Sequence, residues 1–305
     1  MNASPAFQPG MAPAQPERLA RRGGNPFRRL RRRTANVLMW ILTYVAALLA
    51  IVPLVLVLYY VLMQGFKVLN PDFLTQVQKP AGETGGGIKH ALLGSLTMVG
   101  IASCLGLPIG ILGGVYLAEF GNNKIGWIAR FAADVLNGVP SIVVGIFVYA
   151  IAVRPFKHYS ALAGGLALGI MMVPTIMRTT EELVRLVPMS MREASLALGA
   201  TRWHTVVKVV LGAAKGGIVT GVLLAIARVA GETAPLLFTA LGNNFYSSNV
   251  KEPMASLPVT IFTFATSPDD VWRSMAWGGA LVLVAMIFIL SILARYFTKG
   301  KYRAL

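Results

Sequence analysis

Arg228 and Glu232 stand four residues apart in a stretch, Gly216 to Leu241, whose other side chains carry no charge. Such a stretch can cross a bilayer, because a hydrocarbon core of about 30 Å takes roughly 20 helical residues. An arginine near the middle of a membrane span costs about 2.5–3.5 kcal/mol on insertion scales, so it has to be paired or used. Two readings are open. On one helix face the pair, at i and i+4, can close a structural ion pair. Alternatively, Pro235 has no N–H and leaves the Gly231 carbonyl without a partner, so the helix should bend or open beside the charges. Broken helices with ionisable groups at mid-depth form solute sites in membrane proteins.

Arg178 follows Val173-Pro174-Thr175-Ile176-Met177 and precedes Thr179, Thr180, Glu181 and Glu182. It either snorkels to the headgroups or lines the same path as Arg228. If both arginines line one path the permeant is an anion, because guanidinium offers paired donors that match phosphate or carboxylate edges. Glu232 would then balance the arginine in the empty site.

The chain shows no energy source of its own. A phosphate-binding loop needs Gly-x-x-x-x-Gly-Lys-Ser/Thr, and the strings around Gly212 to Gly217 and Lys299 to Lys301 lack that ending. No nucleophile and base stand at a spacing that suggests an enzyme. The three histidines, His90, His158 and His204, sit apart without ligand spacing, so no bound cofactor or metal is expected. The single cysteine, Cys104, is expected to be a small buried residue inside a span. Either an ion gradient drives transport or the motor is another polypeptide. The polar segment from Pro188 to Gly212 reads as two short helices around Gly199, serving as a plain connector or as a docking surface.

Composition supplies the elements that hold these residues. Hydrophobic residues make up 55% of the chain and charged ones 13%, and mean hydropathy is +0.64, which marks an all-α integral membrane protein. Six spans can be marked: Val37–Met63, Leu92–Leu117, Ile125–Val153, Ala161–Ile176, Gly216–Leu241 and Met275–Ala294. The third is expected to begin with an amphipathic lead-in carrying Arg130 and Asp134. The eight arginines from Arg18 to Arg33 place the N-terminus in the cytoplasm, and six spans return the C-terminus, with Arg295, Lys299, Lys301 and Arg303, to the same side. Because the basic residues cluster at span ends, the net charge of +16 reflects topology and not nucleic acid. Residues 1–36, rich in proline and arginine, are expected to be a disordered cytoplasmic tail, and 37–305 the membrane domain. The first apolar run is too long for a signal peptide and reads as a permanent span. Small residues recur at every fourth position, at Gly106, Gly110 and Gly114, at Gly165 and Gly169, and at Gly217 and Gly221. They allow close helix packing inside the bundle or at a subunit interface. Pro108, Pro140 and Pro174 are expected to interrupt three spans.

Glu193-Ala194-Ser195, Gly199 six residues after the glutamate, then Val209 and Leu211 resemble the cytoplasmic loop of importer-type ABC permeases. Ser195 and Val209 depart mildly from that pattern, and Gly212 stands where a proline is usual, which leaves the exit into the fifth span open. Pro140-Ser141-Ile142-Val143-Val144-Gly145, the run from Arg192 to Trp203, Gly231 to Thr239, and Ser256-Leu257-Pro258-Val259 narrow the resemblance to the PstA family, the permeases of phosphate-specific ABC importers. It covers about Gly86 to Ala294.

The resemblance implies a type I ABC importer permease fold in the inner membrane with a cytoplasmic coupling helix. It implies a PstC-like second permease, a PstB-like ATPase dimer that uses ATP and magnesium, and a PstS-like phosphate-binding protein outside. It carries phosphate contact over to Arg228, with Glu232, Arg178 and Thr233 along the path. It carries ATPase coupling to Arg192, Glu193, Ala194, Ser195, Gly199, Ala200 and Thr201, within a loop of about 188–212. A gradient-driven secondary anion transporter, and an importer of sulfate, molybdate or phosphonate, are the competing readings.

Overall fold

Long apolar runs become long helices in the computed structural model, which describes residues 26–299. The chain divides into two units after Leu58. In the first, α1 (Pro26–Val68) starts at a proline, a residue suited to a first helical turn, and its side chains up to Leu58 are exposed wherever described. Residues 26–36, expected in the tail, are therefore helix, since arginine and leucine are good helix formers. Residues 1–25 lie outside the described residues.

The second unit holds the last part of α1 and everything after it. Its helices are α2 (Pro71–Thr75), α3 (Lys89–Glu119), α4 (Lys124–Gly138) and α5 (Ser141–Val148). A π-helical turn, Tyr149–Val153, leads to α6 (Arg154–Phe156). Then come α7 (Ala161–Arg185), α8 (Met189–Ala197) and α9 (Arg202–His204). A second π-helical turn, Thr205–Val210, leads into α10 (Leu211–Ala230). The chain continues through α11 (Ala234–Thr239), α12 (Leu257–Ala265) and α13 (Asp270–Lys299).

Five helices are long and apolar enough to cross a membrane, and the pair α4–α5, bent by 105°, makes up to six. The packing of α3 on α7 decides how to count that pair. A Cβ on Gly106 would meet Met172 Cβ at 2.9 Å, one on Gly110 would meet Ile176 Cβ at 2.7 Å, and one on Gly114 would meet Thr180 Cβ at 2.6 Å. The numbers rise together, so α3 and α7 run parallel. The chain from Glu119 to Ala161 must therefore travel back along α7, and the bent pair is one crossing. Six spans result, with the third broken at Val139–Pro140.

The small-residue stripes lie inside the bundle. Gly165 faces Ile101, Gly169 faces Ala102 and Leu105, and Gly217 and Gly221 face Leu183 and Thr179, so α10 runs antiparallel to α7. Met98, Ala102, Leu168, Met172, Ile176, Ala225 and Val229 form the core that these close approaches permit. Pro108 and Pro174 do not interrupt their helices. Close packing of α3 on α7 flanks each proline, the helices continue through them, and of the three only Pro140 stands at a break. Cys104 is exposed on α3 and not buried, because the neighbouring positions Ala102 and Gly106 take the side facing α7. His90 is buried in the first turn of α3.

The fifth span is displaced from its expected bounds. It runs unbroken from Arg202 to Ala230 and not from Gly216 to Leu241, because a helix can begin at Pro235 but cannot continue through it without losing a hydrogen bond. Gly212 sets no exit angle, since the helix passes straight through it.

Candidate functional site

The break after α10 lies part-way along the bundle: with Gly217 against Leu183 and Gly221 against Thr179, Gly231 comes well inside the length of α7, and α11 runs on to Thr239, whose carbonyl accepts from Ser160 N–H at the start of α7. Gly231 N–H donates to Arg228 O at 3.2 Å and Glu232 N–H to Val229 O at 3.1 Å, a tightened last turn. Thr233 O then accepts from Leu236 and Leu237 as α11 begins. Between them, three residues, Gly231, Glu232 and Thr233, lie outside any helix. Pro235 and Leu236 are buried, and Pro235 lies against α5 at Gly145. The motif Pro140–Gly145 thus packs on the motif Gly231–Thr239.

Arg228, in the last turn of α10, is exposed, and Glu232 and Thr233 are half-buried. Among the described residues neither Arg228 nor Glu232 takes part in an ion pair. The expected i,i+4 pair is not made, because the helix ends between the two residues. A guanidinium without a carboxylate partner at an opened helix end has donors free for an anionic solute.

Arg178 belongs to a different cluster. Its Nε lies 2.9 Å from Asp134 Oδ1 and its Nη1 lies 3.2 Å from Glu181 Oε2. Glu181 is 1% exposed and also takes Arg130 Nε at 2.6 Å and Arg185 Nη2 at 2.7 Å. Three guanidiniums thus hold one buried carboxylate, and a second carboxylate completes a network between α4 and α7. Antiparallel register with α10 sets Arg178 about two turns nearer α8 than Arg228. The structure does not join the two arginines into one site. Sequence reasoning passed over Arg130, Asp134 and Glu181 as interfacial charges. Their signal was spacing: Arg130 and Asp134 are at i,i+4, and Arg178, Glu181 and Arg185 share one face at i, i+3 and i+7.

The end of the bundle that carries α8 is built for contact. Glu193 and Ala194 are exposed, as are Leu186 (76%), Leu198 (89%) and Trp203 (74%). Gly199 has φ +82°. Its N–H donates to Leu196 O at 2.9 Å and that of Ala200 to Ser195 O at 3.2 Å, the double bond of a Schellman turn. The glycine is thus set by left-handed backbone, which costs a side-chain-bearing residue about 1–2 kcal/mol. Ser195 Oγ hydrogen-bonds Thr205 Oγ1 at 2.9 Å, and Thr201 Oγ1 accepts from His204 N–H at 3.3 Å. These ties fix α8 against the start of the next helix. Arg192, one of the residues to which the resemblance carries coupling, is placed differently from its neighbours. It is 16% exposed and turns inward onto Glu119 and the carbonyls of Val184 and Val187. Beneath α8 a cavity of about 260 Å³ is lined by Glu119, Arg192, Leu196, Arg202 and Val206.

Residues 110–301 match the family described as binding-protein-dependent transport system inner membrane component. The chain belongs to that family. It is 43% identical over 271 residues to the phosphate transport system permease protein PstA of Haemophilus influenzae, spanning 88% of this chain and 96% of the relative. It is 39% identical to the phosphate transport system permease protein PstA 1 of Mycobacterium tuberculosis, spanning 87% of this chain and 89% of the relative. Two solved structures share the permease fold. One is an inward-facing MetNI methionine ABC transporter, with TM-score 0.57, 19% identity and coverage of 71% of this chain and 95% of that one. The other is a bacterial ABC transporter that imports alginate, with TM-score 0.63, 12% identity and coverage of 89% of this chain and 100% of that one. The permease is a multi-pass membrane protein of the type I ABC fold.

Proposed function

We propose that this chain is the permease subunit of an ATP-driven importer of inorganic phosphate. The observation that carries the reading is 43% identity to a phosphate permease along 96% of that relative's length. The opened helix at Gly231–Thr233, with unpaired Arg228 beside it, supplies a chemistry that suits the cargo. Phosphate would meet Arg228 first, with Glu232 and Thr233 beside it and Arg178 farther along the path.

The pathway would be completed by a second, PstC-like permease. A PstS-like binding protein would deliver phosphate from outside, at the end of the bundle opposite α8. A PstB-like ATPase dimer would bind at α8 through Glu193, Ala194, Ser195, Gly199, Ala200 and Thr201, and hydrolyse ATP with magnesium, so that this chain performs no catalysis and holds no cofactor. The arginines before α1 and the basic residues around α8 support an inner-membrane subunit with both termini on the cytoplasmic side. The cycle is a rigid-body switch biased by nucleotide at one end and ligand at the other.

The test is phosphate uptake by cells whose own permease is replaced by this chain together with its partner subunits. Uptake persists when a protonophore collapses the proton gradient with ATP maintained, and stops when ATP is depleted. The opposite pattern would falsify ATP-driven transport. Preferential uptake of sulfate, molybdate or a phosphonate overturns the choice of cargo.

A further inference from the structure

The C-terminal turn of α3 is gripped by arginines from two other elements. From α8, Arg192 Nη2 donates to Glu119 Oε1 at 2.8 Å and to Val184 O at 2.9 Å, and its Nη1 donates to Val187 O at 2.6 Å. From α4, Arg130 Nη2 donates to Leu117 O at 2.8 Å, Nη1 to Gly121 O at 3.0 Å and Nε to Glu181 Oε1 at 2.6 Å. All three nitrogens of Arg130 are thus engaged, in three directions, with α3 and α7. The turn has no slack: a Cβ on Gly121 would lie 2.7 Å from Arg130 Nη2, and Gly126 backs directly onto the Gly121 carbonyl.

Beyond Arg130, α4 is tied again to α7 through Asp134 and Arg178, then bends at Val139–Pro140. Immediately past the bend, Gly145 lies on Pro235, beside the Gly231–Thr233 break. A continuous set of contacts therefore joins α8 to the break through α3, α4 and α5. It is separate from the unbroken helix Arg202–Ala230, which also runs from the α8 end to the break.

We propose that Arg130 is a positioning residue of the transport cycle. It locks the end of α3 to α4, so that displacement of α8 passes through Arg192 and Glu119 to the bend and from there to the break. The proposal rests on the reading of α8 as the motor's docking helix and of the break as the phosphate site. An ionic cluster centred on the buried Glu181 carboxylate, with every guanidinium nitrogen of Arg130 engaged, suits such a role, because it resists gradual deformation and moves as a body. Lysine cannot replace it, being a single point charge where three separate acceptors must be held.

The test uses the assembled complex of this chain with its second permease, ATPase and binding protein in sealed vesicles, and measures phosphate imported per ATP hydrolysed. Arg130→Lys keeps assembly and ATP hydrolysis but lowers that ratio by about threefold or more. Glu119→Gln lowers it likewise. Because the two act in series, the double variant is no worse than the worse single one, whereas independent defects multiply. A wild-type ratio in Arg130→Lys, or multiplied defects in the double variant, overturns the proposal. Should Arg130→Lys fail to assemble, Glu119→Gln decides alone: a lowered ratio with intact hydrolysis upholds the proposal and an unchanged ratio overturns it. If the unaltered complex imports another oxyanion, the cargo reading fails and the ratio is measured with that anion. If it imports none, transport and proposal fall together.

Discussion

Pro235 occupies the space that a side chain on Gly145 would need: a Cβ there would stand 2.6 Å from Pro235 Cα and 3.1 Å from its carbonyl oxygen. Both contacts are backbone, so neither element can yield by turning a side chain. Gly145→Ala is expected to push α5 from α11 at a cost of about 1–3 kcal/mol, the usual range for overpacking. Loss of thermal stability in detergent, together with reduced uptake, is the expected result. An unchanged melting temperature would mean that α5 and α11 separate freely.

Arg228→Gln tests the break directly. The side chain is exposed and without an ion-pair partner among the described residues, so the substitution breaks no ion pair. A hydrogen bond to a charged group contributes about 1.5–3 kcal/mol, so phosphate uptake should fall about tenfold or more while the chain still co-purifies with its partners. Full uptake by the variant would give Arg228 a structural role.

Gly199→Val places a β-branched residue at φ +82°. The turn after α8 should open, and co-purification of the ATPase should drop, with membrane insertion unaffected. Glu193→Arg reverses an exposed charge on the same helix without altering its backbone, and is expected to give the same loss of the motor. Retained binding by both variants would remove α8 from the docking surface.

The loop before α12 should respond to acid. Ser247 Oγ donates to Glu252 Oε2 at 2.6 Å and Asn249 Nδ2 donates to Oε1 at 3.0 Å, which holds the carboxyl below its usual pKa. A depressed carboxylate contributes order that is present above the unfolded value, about 4.3, and is lost as pH falls through the folded value. The backbone carbonyl of the same residue accepts from Ala161 N–H at the start of α7. Hydrogen exchange of Ala161, compared between wild type and Glu252→Gln, should show greater protection in wild type at neutral pH. The difference should vanish in strong acid, and a difference that persists there would assign the protection to the backbone alone.

Apolar length and the four-residue recurrence of small side chains made the six spans and the small-residue stripes of α3, α7 and α10 readable from sequence, because both signals are local, whereas which stripe meets which helix is not. The bend at Val139–Pro140 was half legible: Arg130 and Asp134 marked a lead-in, but its partner helix lies at Glu181, about fifty residues on. The same distance hid the grip of Arg130. Coupling was carried over to Arg192 with the rest of the run Arg192–Trp203, yet on a helix adjacent residues point about 100° apart, so Arg192 and Glu193 face different surroundings. The opening after Ala230 was anticipated from Pro235, whereas the fate of the Arg228–Glu232 pair depended on where the helix stops. Pro235 bars the helix from continuing but does not by itself fix the residue at which it stops.

Cys104 is the chain's only thiol, and it faces outward from α3. A single nitroxide or fluorophore can therefore be attached to the natural protein at one known position, without first removing other cysteines. Its mobility and accessibility to lipid-soluble quenchers then report whether lipid or a neighbouring subunit covers that flank of α3, and whether the cover changes when nucleotide is added.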